Sequence, residues 1–357
     1  MAGATAAAIN AALSLIIASA PRMQFRTDVI GLSLVGVEYG QGANCVVPVK
    51  ISGRTTAGAH PEGDEVESGD YSTHTRKQAV LPWGEYRATA LVTGLAEAIT
   101  ASGGYASGNL VMEEISDALD ELAVALGADF YAGDHAATPP ELAGAALAVD
   151  SSDDNFAGID TGVYPTWSAG EATVASASLT VAWIRENLFR PIKDATGRPP
   201  VFVLTTGALM DRLKALLGEN AETVTTVMVN GMKVEVEQNF GATAIRVDGV
   251  PFIEDRHCTS GTMYAFGQDA VKFWQLRKPL DADATPAEIQ QAILELTKVD
   301  VPVSEVEAQI RALNSAARIV PTIEALAKTG DSRKFLISVK GQLAWKRRNA
   351  TAKATIT

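Results

Sequence analysis

The amino-acid sequence predicts an α+β fold with an N-terminal arm, a projecting β-hairpin, one long helix and a mixed domain of strands and helices. Three observations lead to this prediction: two extended runs that flank a long polar stretch, one long amphipathic helical stripe, and short strand patterns separated by turn signals. The chain has 357 residues, more than one simple core accommodates, so we expect two or three packing units.

Composition and charge exclude several classes of protein. Hydrophobic residues make up 47% of the chain and charged residues 20%, which is typical of a globular protein and not of a disordered or fibrous one. No apolar stretch approaches the roughly 20 residues that a membrane helix needs. The 30 Lys and Arg against 42 Asp and Glu give a net charge of −12, which argues against a protein whose whole surface grips nucleic acid.

Residues 1–44 are interpreted as an N-terminal arm. Apolar residues from Ile9 to Ile17 follow helical spacing. Ala18-Ser19-Ala20 resembles the cleavage site of a secretory signal, but the first basic residue is Arg22, whereas a signal needs a positively charged start. The sequence therefore favours the arm over a cleaved leader.

Two extended runs, 45–51 and 77–86, flank a polar stretch from Ser52 to Ser72 that holds five acidic residues. This pattern predicts a projecting β-hairpin with a long tip. A two-stranded arm is only marginally stable alone, so it needs a partner surface. The residues that we expect to make contacts between subunits are Arg76, Lys77, Trp83 and Tyr86.

Asn109 to Tyr131 is the longest helical pattern in the chain, with one apolar stripe and acidic residues elsewhere. About 23 helical residues would span roughly 35 Å. Beyond it, the patterns predict helices over 178–192 and 208–217 around a buried strand at 201–206. Asp248-Gly249 marks a hairpin between Ile245 and Ile253, and Gly267-Gln268-Asp269 marks a second hairpin within Met263–Leu276.

Residues 279–331 differ in character from their surroundings. Three short helices are predicted there, opening at the capping box Thr285–Glu288, at Ser304 and at Pro321. The segment is interpreted as a small helical insertion. Strand character returns at Phe335, and the tail from Arg333 to Lys353 holds seven basic residues and no acidic ones.

Few residues suit catalysis or metal binding. His257 and Cys258 are adjacent in sequence, whereas a thiolate–imidazolium pair usually joins residues distant in sequence. The acidic loop at Asp150, Asp153, Asp154 and Asp160 lacks the spacing of a calcium loop. We therefore expect no catalytic residue, no cofactor and no metal.

The basic run Lys346-Arg347-Arg348, together with Lys353, has two interpretations. It could contact phosphate, or it could be a solvated strand end or an ion-pair partner of a neighbouring subunit. The second is favoured because of the acidic net charge and the few interleaved aromatic residues.

In this order of elements the chain resembles the major capsid protein of tailed bacteriophages, the Hong Kong 97-type fold. The resemblance is most specific in Asn155–Asp160 with Tyr164-Pro165-Thr166-Trp167, which looks like that family's lead into its apical domain. Pro200–Leu213 is similar to the strand and helix that follow there. Ile245–Leu276 and Gln342–Lys353 look like peripheral-domain strands, so nearly the whole chain apart from 279–331 is covered.

The resemblance implies a division of the chain into named parts. These are an N-terminal arm (1–44), an extended loop (45–90), a first part of the peripheral domain with the spine helix (91–149), an apical domain (150–230), apical and peripheral β segments (231–278), a helical insertion (279–331) and a returning peripheral strand (332–357).

It also implies a structural function in the virion. Pentamers and hexamers would build an icosahedral shell in the host cytoplasm, enclosing double-stranded DNA without sequence-specific binding and without a membrane. Its partners would be further copies of the chain, a portal protein and, in some members, scaffold or decoration proteins. The sequence lacks the long N-terminal scaffolding extension of some members, which favours a separate scaffold or none.

Covalent cross-linking is not carried over from the family, because the loop tip from Thr56 to Asp70 contains no lysine and Asn349 is only a generic candidate acceptor. Two alternatives remain open at this point. One is an encapsulin, a cellular nanocompartment with the same fold that packages protein cargo. The other, from a different class, is an α/β hydrolase that uses His257 or Cys258.

Overall fold

The computed structural model describes most of the chain. The described residues are 30–51, 75–93, 110–151, 155–218, 222–223, 226–229, 232–235, 244–276, 285–297, 302–315, 319–326 and 332–357. The tip of the predicted hairpin, the N-terminal arm up to residue 29 and the predicted N-cap Asn109 lie outside these residues.

Two sheets organise the described part. The first has five strands in the order β1-β15-β17-β16, with β4 also paired to β17. Its strands are β1 (Val37–Gly40), β4 (Gly84–Thr93), β15 (Val271–Leu276), β16 (Thr322–Ala325) and β17 (Ser332–Trp345). Strand β17 holds this sheet together, because it pairs antiparallel with β4, β15 and β16 at different points along its length.

The second sheet has seven strands in the order β7-β18-β14-β8-β13-β12-β9. Its strands are β7 (Gly170–Val174), β8 (Phe202–Thr205), β9 (Glu222–Thr223), β12 (Ala244–Val247), β13 (Val250–Glu254), β14 (Thr262–Phe266) and β18 (Thr351–Ile356). Three two-stranded pairs are β2 (Cys45–Lys50) with β3 (Arg76–Leu81), β5 (Asn155–Phe156) with β6 (Ile159–Asp160), and β10 (Thr226–Val229) with β11 (Met232–Glu235).

Besides three short 3-10 helices, seven helices lie within the described residues: α1 (Ile30–Val35), α2 (Leu110–Ala132), α3 (Ala145–Ala148), α4 (Val181–Ile184, a π-helical stretch Arg185–Phe189, then Arg190–Thr196), α5 (Gly207–Leu217), α6 (Pro286–Thr297) and α7 (Val303–Ser315). None of these is both long and apolar enough to cross a membrane.

The long predicted helix is confirmed as α2. Its buried side chains Ile115, Leu119, Leu122 and Leu126 recur every three or four residues, so they lie on one face of the helix. Helix α2 packs against β4 with that face. The predicted capping box also forms, since Thr285 N donates to Glu288 Oε2 at 2.8 Å at the start of α6.

The buried apolar residues form two clusters. The larger one joins α1, α2, the β2–β3 hairpin and the five-stranded sheet, and it includes Trp167 and Trp345. The smaller one lies between α4, α5 and the seven-stranded sheet. The expectation of more than one packing unit therefore agrees with the distribution of the core.

The third helix predicted in the 279–331 segment is wrong. The residues Thr322–Ala325 form β16, which pairs with Phe335–Ser338 of β17. This part of β17 would otherwise leave backbone groups unpaired on that side, and the β-branched Thr322 and Ile323 suit an extended backbone. The helical part of the segment consists of α6 and α7.

The second predicted hairpin is also wrong, whereas the first is confirmed. Asp248 and Gly249 adopt φ values of 52° and 80°, as the tight turn between β12 and β13 requires. Asp269 likewise has a positive φ of 51°, but β14 and β15 on either side of its turn belong to different sheets. The predicted turn therefore forms, but it connects a strand of one sheet to a strand of the other sheet.

Candidate assembly site at the base of the hairpin

The predicted hairpin is confirmed where the structure describes it. Strands β2 and β3 are paired from Cys45–Leu81 to Lys50–Arg76 in antiparallel register. Residues of β2 alternate strictly between buried and exposed, so one face of the hairpin packs on the larger core and the other is open. The long polar tip predicted for it lies outside the described residues.

The segment that carries the family resemblance supports the hairpin from the side. Val80 N donates to Ala157 O at 3.0 Å, and Thr166 Oγ1 donates to Ile51 O at 2.8 Å. Lys77 Nζ lies 5.2 Å from the centre of the Tyr164 ring, within cation–π range. The Tyr-Pro-Thr-Trp segment therefore fixes the direction in which the hairpin leaves the body.

Trp83 lies in the connection between β3 and β4 and is half-buried within the protomer. Its Nε1 donates to Gly42 O at 3.0 Å. A Cβ atom placed on Gly40 would lie 2.3 Å from Cη2 of this ring, so the close packing requires glycine at that position. Trp83 thus covers the end of β1.

Tyr86 connects three parts of the fold through its hydroxyl group. The hydroxyl donates to Asp129 Oδ2 at 2.7 Å and accepts from Leu142 N at 3.0 Å. Burial and the hydrogen bond to Asp129 raise the pKa of Tyr86 well above its ordinary value. Burial, with a further contribution from Glu141, also raises the pKa of Asp129. Tyr86 is therefore a neutral link between β4, α2 and the loop after α2.

A buried glutamine at the root of the hairpin was not anticipated from the sequence. Gln342 Oε1 accepts from Ala143 N at 2.6 Å, and its Nε2 donates to Pro82 O at 2.7 Å and to Glu141 O at 3.1 Å. Its side chain is fully buried. A polar residue directly before the apolar run Leu343–Trp345 was the only signal for it.

The four residues predicted to make intersubunit contacts therefore fall into two groups. Trp83 and Tyr86 contact their own protomer, and Arg76 and Lys77 are exposed on β3. Sequence reasoning missed an exposed apolar pair on the open face, Val46 and Val80, which are 37% and 43% exposed and are paired across the strands. Their alternation with buried neighbours could have revealed them. The role of all these residues between subunits stays a prediction.

The pair His257 and Cys258 does not form a nucleophile with its base. Cys258 Sγ lies 3.7 Å from Thr262 O and is nearly buried, and burial raises the pKa of its thiol to about 12. His257 Nε2 accepts from Arg256 Nε at 3.3 Å. Because the thiolate is the reactive form, Cys258 is almost entirely unreactive thiol near neutral pH. The expectation of local polar contacts at this turn is confirmed.

Asp255, next to that pair, is a structural centre that the sequence did not reveal. This buried carboxylate accepts from the Tyr131 hydroxyl at 2.7 Å, from Gly31 N at 3.2 Å and from His257 N at 3.0 Å. Burial, then the neighbouring charge of Asp255, raises the pKa of Tyr131. The contacts join α1, α2 and the turn after β13.

We expect both cysteines of the native protein to resist thiol reagents at mildly alkaline pH. Cys45 is fully buried and burial raises its pKa to about 12, as for Cys258. A chromogenic disulfide reagent should modify neither cysteine in the folded protein and both in denaturant. Rapid modification of Cys258 in the native protein would show that the turn is open and would return the hydrolase alternative to consideration.

The basic tail is used mostly within the protomer, which corrects its interpretation as a solvated or intersubunit run. Lys346 Nζ lies 2.7 Å from Glu38 Oε2, and Lys353 Nζ lies 2.8 Å from Glu171 Oε1. Arg348 is fully buried and donates to backbone carbonyls. Of the run at 346–348, only Arg347 is exposed.

The acidic loop is only partly described by the structure. Asp160 Oδ1 accepts from Gly162 N at 2.7 Å and shapes a local turn. Asp153 and Asp154 lie outside the described residues. In the part of the chain that the structure covers, no group of three or more His, Cys, Asp or Glu side chains could hold an ion.

Several solved structures have an architecture similar to that of this chain. The cyanophage A-1(L) capsid asymmetric unit matches with a TM-score of 0.63 at 17% identity, covering 92% of this chain and 93% of that chain. The capsid of a native GTA particle matches with a TM-score of 0.53 at 10% identity, covering 91% and 89%. No protein-family model and no curated protein matches the sequence.

An encapsulin has a similar degree of likeness. The holo-SrpI encapsulin complex from Synechococcus elongatus PCC 7942 matches with a TM-score of 0.52 at 10% identity, covering 94% of this chain and 87% of that chain. At such identities the matches establish a shared fold and leave the function open. The α+β fold predicted from the sequence is confirmed, and the chain has the fold of these phage capsid and encapsulin shell proteins.

Proposed function

We propose that this chain is a major capsid protein that assembles as pentamers and hexamers into an icosahedral shell around double-stranded DNA. The observation that carries the proposal is the match to the cyanophage capsid over nearly the full length of both chains, with 92% and 93% covered. Coverage of both chains supports a subunit whose fold matches that capsid chain along nearly its whole length.

The hairpin supports this role on physical grounds. Its base is fixed by the Tyr-Pro-Thr-Trp segment and by Tyr86, while its outer face exposes Val46, Val80 and Arg76. A rigid base with an open apolar and basic face suits contact with the next copy of the chain. Head-to-tail contacts of this kind close into rings, and rings of five and six build a shell.

As part of the proposal, the segments take the roles that the family resemblance implies. Residues 45–90 serve as the extended loop, α2 as the spine helix, 150–230 as the apical domain, and α6 with α7 as an insertion that decorates the shell or tightens its contacts. A portal protein, and a scaffold or decoration protein, are proposed as further partners, with assembly in the host cytoplasm.

Electron microscopy of the purified, recombinantly expressed chain tests the proposal. We expect closed icosahedral shells or five- and six-membered rings. Particles that remain small and uniform across a range of salt and protein concentrations would contradict it. Because assembly depends on protein concentration, the highest attainable concentration must be included.

The encapsulin match supports a second candidate, a nanocompartment that packages protein cargo. Purified particles separate the two functions through their contents. Nuclease-protected nucleic acid in particles from infected cells is expected for the capsid, whereas a co-purifying protein within nucleic-acid-free particles would favour the encapsulin. The hydrolase alternative has no support from the geometry of Cys258.

A further inference from the structure

A groove of about 980 Å³ lies where the hairpin meets the body of the protein. It is lined by β2 and Ile51, by the turn at Thr166 and Trp167, by the C-terminal end of α4, and by the loops that contain Gln268 and Arg347. Its volume is in the range of ligand-binding clefts. None of the contacts described above for the hairpin fills it.

The charges along this groove are unbalanced. Lys50, Arg198 and Arg347 line it and have no ion-pair partner within the described residues. The other lining charges are neutralised, because Lys346 pairs with Glu38 at 2.7 Å and Asp269 pairs with Lys272 at 3.1 Å. Three cations without an ion-pair partner therefore converge there from distant segments, although the chain has a net charge of −12, and Arg198 also donates to the neutral Gln268 Oε1 at 2.6 Å.

One buried polar group of the groove is a hydrogen-bond donor without a partner. Trp167 lines the groove, is 2% exposed, and its buried Nε1–H has no acceptor. A buried donor without an acceptor costs about 1–3 kcal/mol. An anion bound in the groove would supply both the missing acceptor and the missing negative charge.

We propose that this groove binds the phosphates of a polyphosphate chain, either a free polyphosphate or the backbone of a nucleic acid. Arginine and lysine are the preferred partners of phosphate, and arginine can bind it through two parallel hydrogen bonds. A bound phosphate chain bridges Lys50 of the hairpin to Arg198 and Arg347 of the body, and so stiffens the base of the hairpin.

The aromatic residues of the groove indicate that it recognises phosphate and not bases. Base recognition in single strands relies on stacking against exposed aromatic faces. Trp167 is buried and offers no exposed ring face. Trp274 already makes a cation–π contact with Lys346, whose Nζ lies 5.8 Å from the centre of the Trp274 ring. An acidic peptide carries single charges on flexible side chains, whose ordering costs entropy. Binding is therefore independent of nucleotide sequence.

Titration of the purified full-length protein with sodium tripolyphosphate, followed by calorimetry, tests the inference whether or not shells have formed. We expect saturable binding whose affinity falls as sodium chloride rises. The double variant Lys50→Ala/Arg347→Ala should weaken binding about tenfold or more, since both side chains are exposed and the fold is retained. The control Lys193→Ala removes an exposed cation outside the groove and should change affinity less than about twofold.

The variant Trp167→Phe provides an independent measurement. It keeps an aromatic ring but removes the unpartnered N–H together with part of the buried indole, so tripolyphosphate should bind several-fold more weakly, and the melting temperature without ligand measures the loss of packing separately. Absence of tripolyphosphate binding, or an equal loss in the Lys193→Ala control, would overturn the proposal. So would groove-dependent binding of a synthetic peptide spanning residues 60–72 without binding of tripolyphosphate.

A short double-stranded oligonucleotide distinguishes the two sources of phosphate. If it competes with tripolyphosphate and is weakened by the same double variant, the groove contacts a nucleic-acid backbone. If tripolyphosphate binds and the oligonucleotide does not compete, the ligand is a free polyphosphate. Both results support the site. Neither binding measurement requires assembled shells. Phosphate binding can therefore be absent while shells form, and it can be present when no shells form, so the outcomes for the groove and for the capsid proposal are distinguishable.

Discussion

Replacing residues 56–70 with a short Gly-Ser linker should abolish closed shells while the protomer still folds. The replaced stretch holds five acidic residues and almost no apolar ones, so it contributes little to the core. The described base of the hairpin keeps its own supports, namely Thr166 on Ile51, Ala157 on Val80 and the Tyr86 hydroxyl on Asp129. Assembly should be lost because the role proposed for the hairpin depends on its tip reaching the next copy of the chain.

Three measurements check this result. Electron microscopy and sedimentation velocity report shells and rings, and thermal unfolding reports the fold of the protomer. A control replaces the same residues with a Gly-Ser linker of equal length. It shows whether assembly depends on the length of the hairpin or on the side chains at its tip. Normal shells from the shortened chain would refute the proposed role of the hairpin, whereas loss of folding would show that the tip stabilises the protomer itself.

The Arg348→Ala substitution should destabilise the protomer by about 3–5 kcal/mol, because it removes a buried guanidinium and leaves a cavity. Arg348 Nε donates to Ala148 O at 2.5 Å, and its Nη2 donates to Asp150 O. Its guanidinium carbon lies 5.0 Å from the centre of the Phe156 ring. The side chain thus satisfies the carbonyls at the end of α3 and joins them to the C-terminal strand.

Urea unfolding of the two proteins measures the difference. The neighbouring Arg347→Ala substitution is the matched control, because Arg347 is exposed and its loss should change the free energy of unfolding by less than about 0.5 kcal/mol. Equal effects of the two substitutions would mean that Arg348 is not buried in solution. A loss of about 3–5 kcal/mol would be a large part of the 5–15 kcal/mol that typically stabilises a folded protein.

The spacing of apolar residues and the residue types at turns determined most of the local structure. The apolar stripe of α2, the alternation along β2 and the Asp248-Gly249 turn are each set by side chains close together in the chain. Local signals of this kind also identified the Tyr-Pro-Thr-Trp segment and, through it, the fold that the solved structures confirm. The proposed shell function rests on that fold and on the hairpin, and the sequence predicted both.

Tertiary structure decided where backbone and polar groups find their partners. Thr322–Ala325 forms a strand because β17 provides hydrogen-bond partners for its backbone. The turn at Asp269 leads from one sheet to the other because β14 pairs with β18 and β15 pairs with β17, and both partner strands come from far along the chain. The same long-range packing buried Arg348 and left Arg347 beside Lys50 and Arg198. Such pairings join residues that are distant in sequence, and no local pattern encodes them.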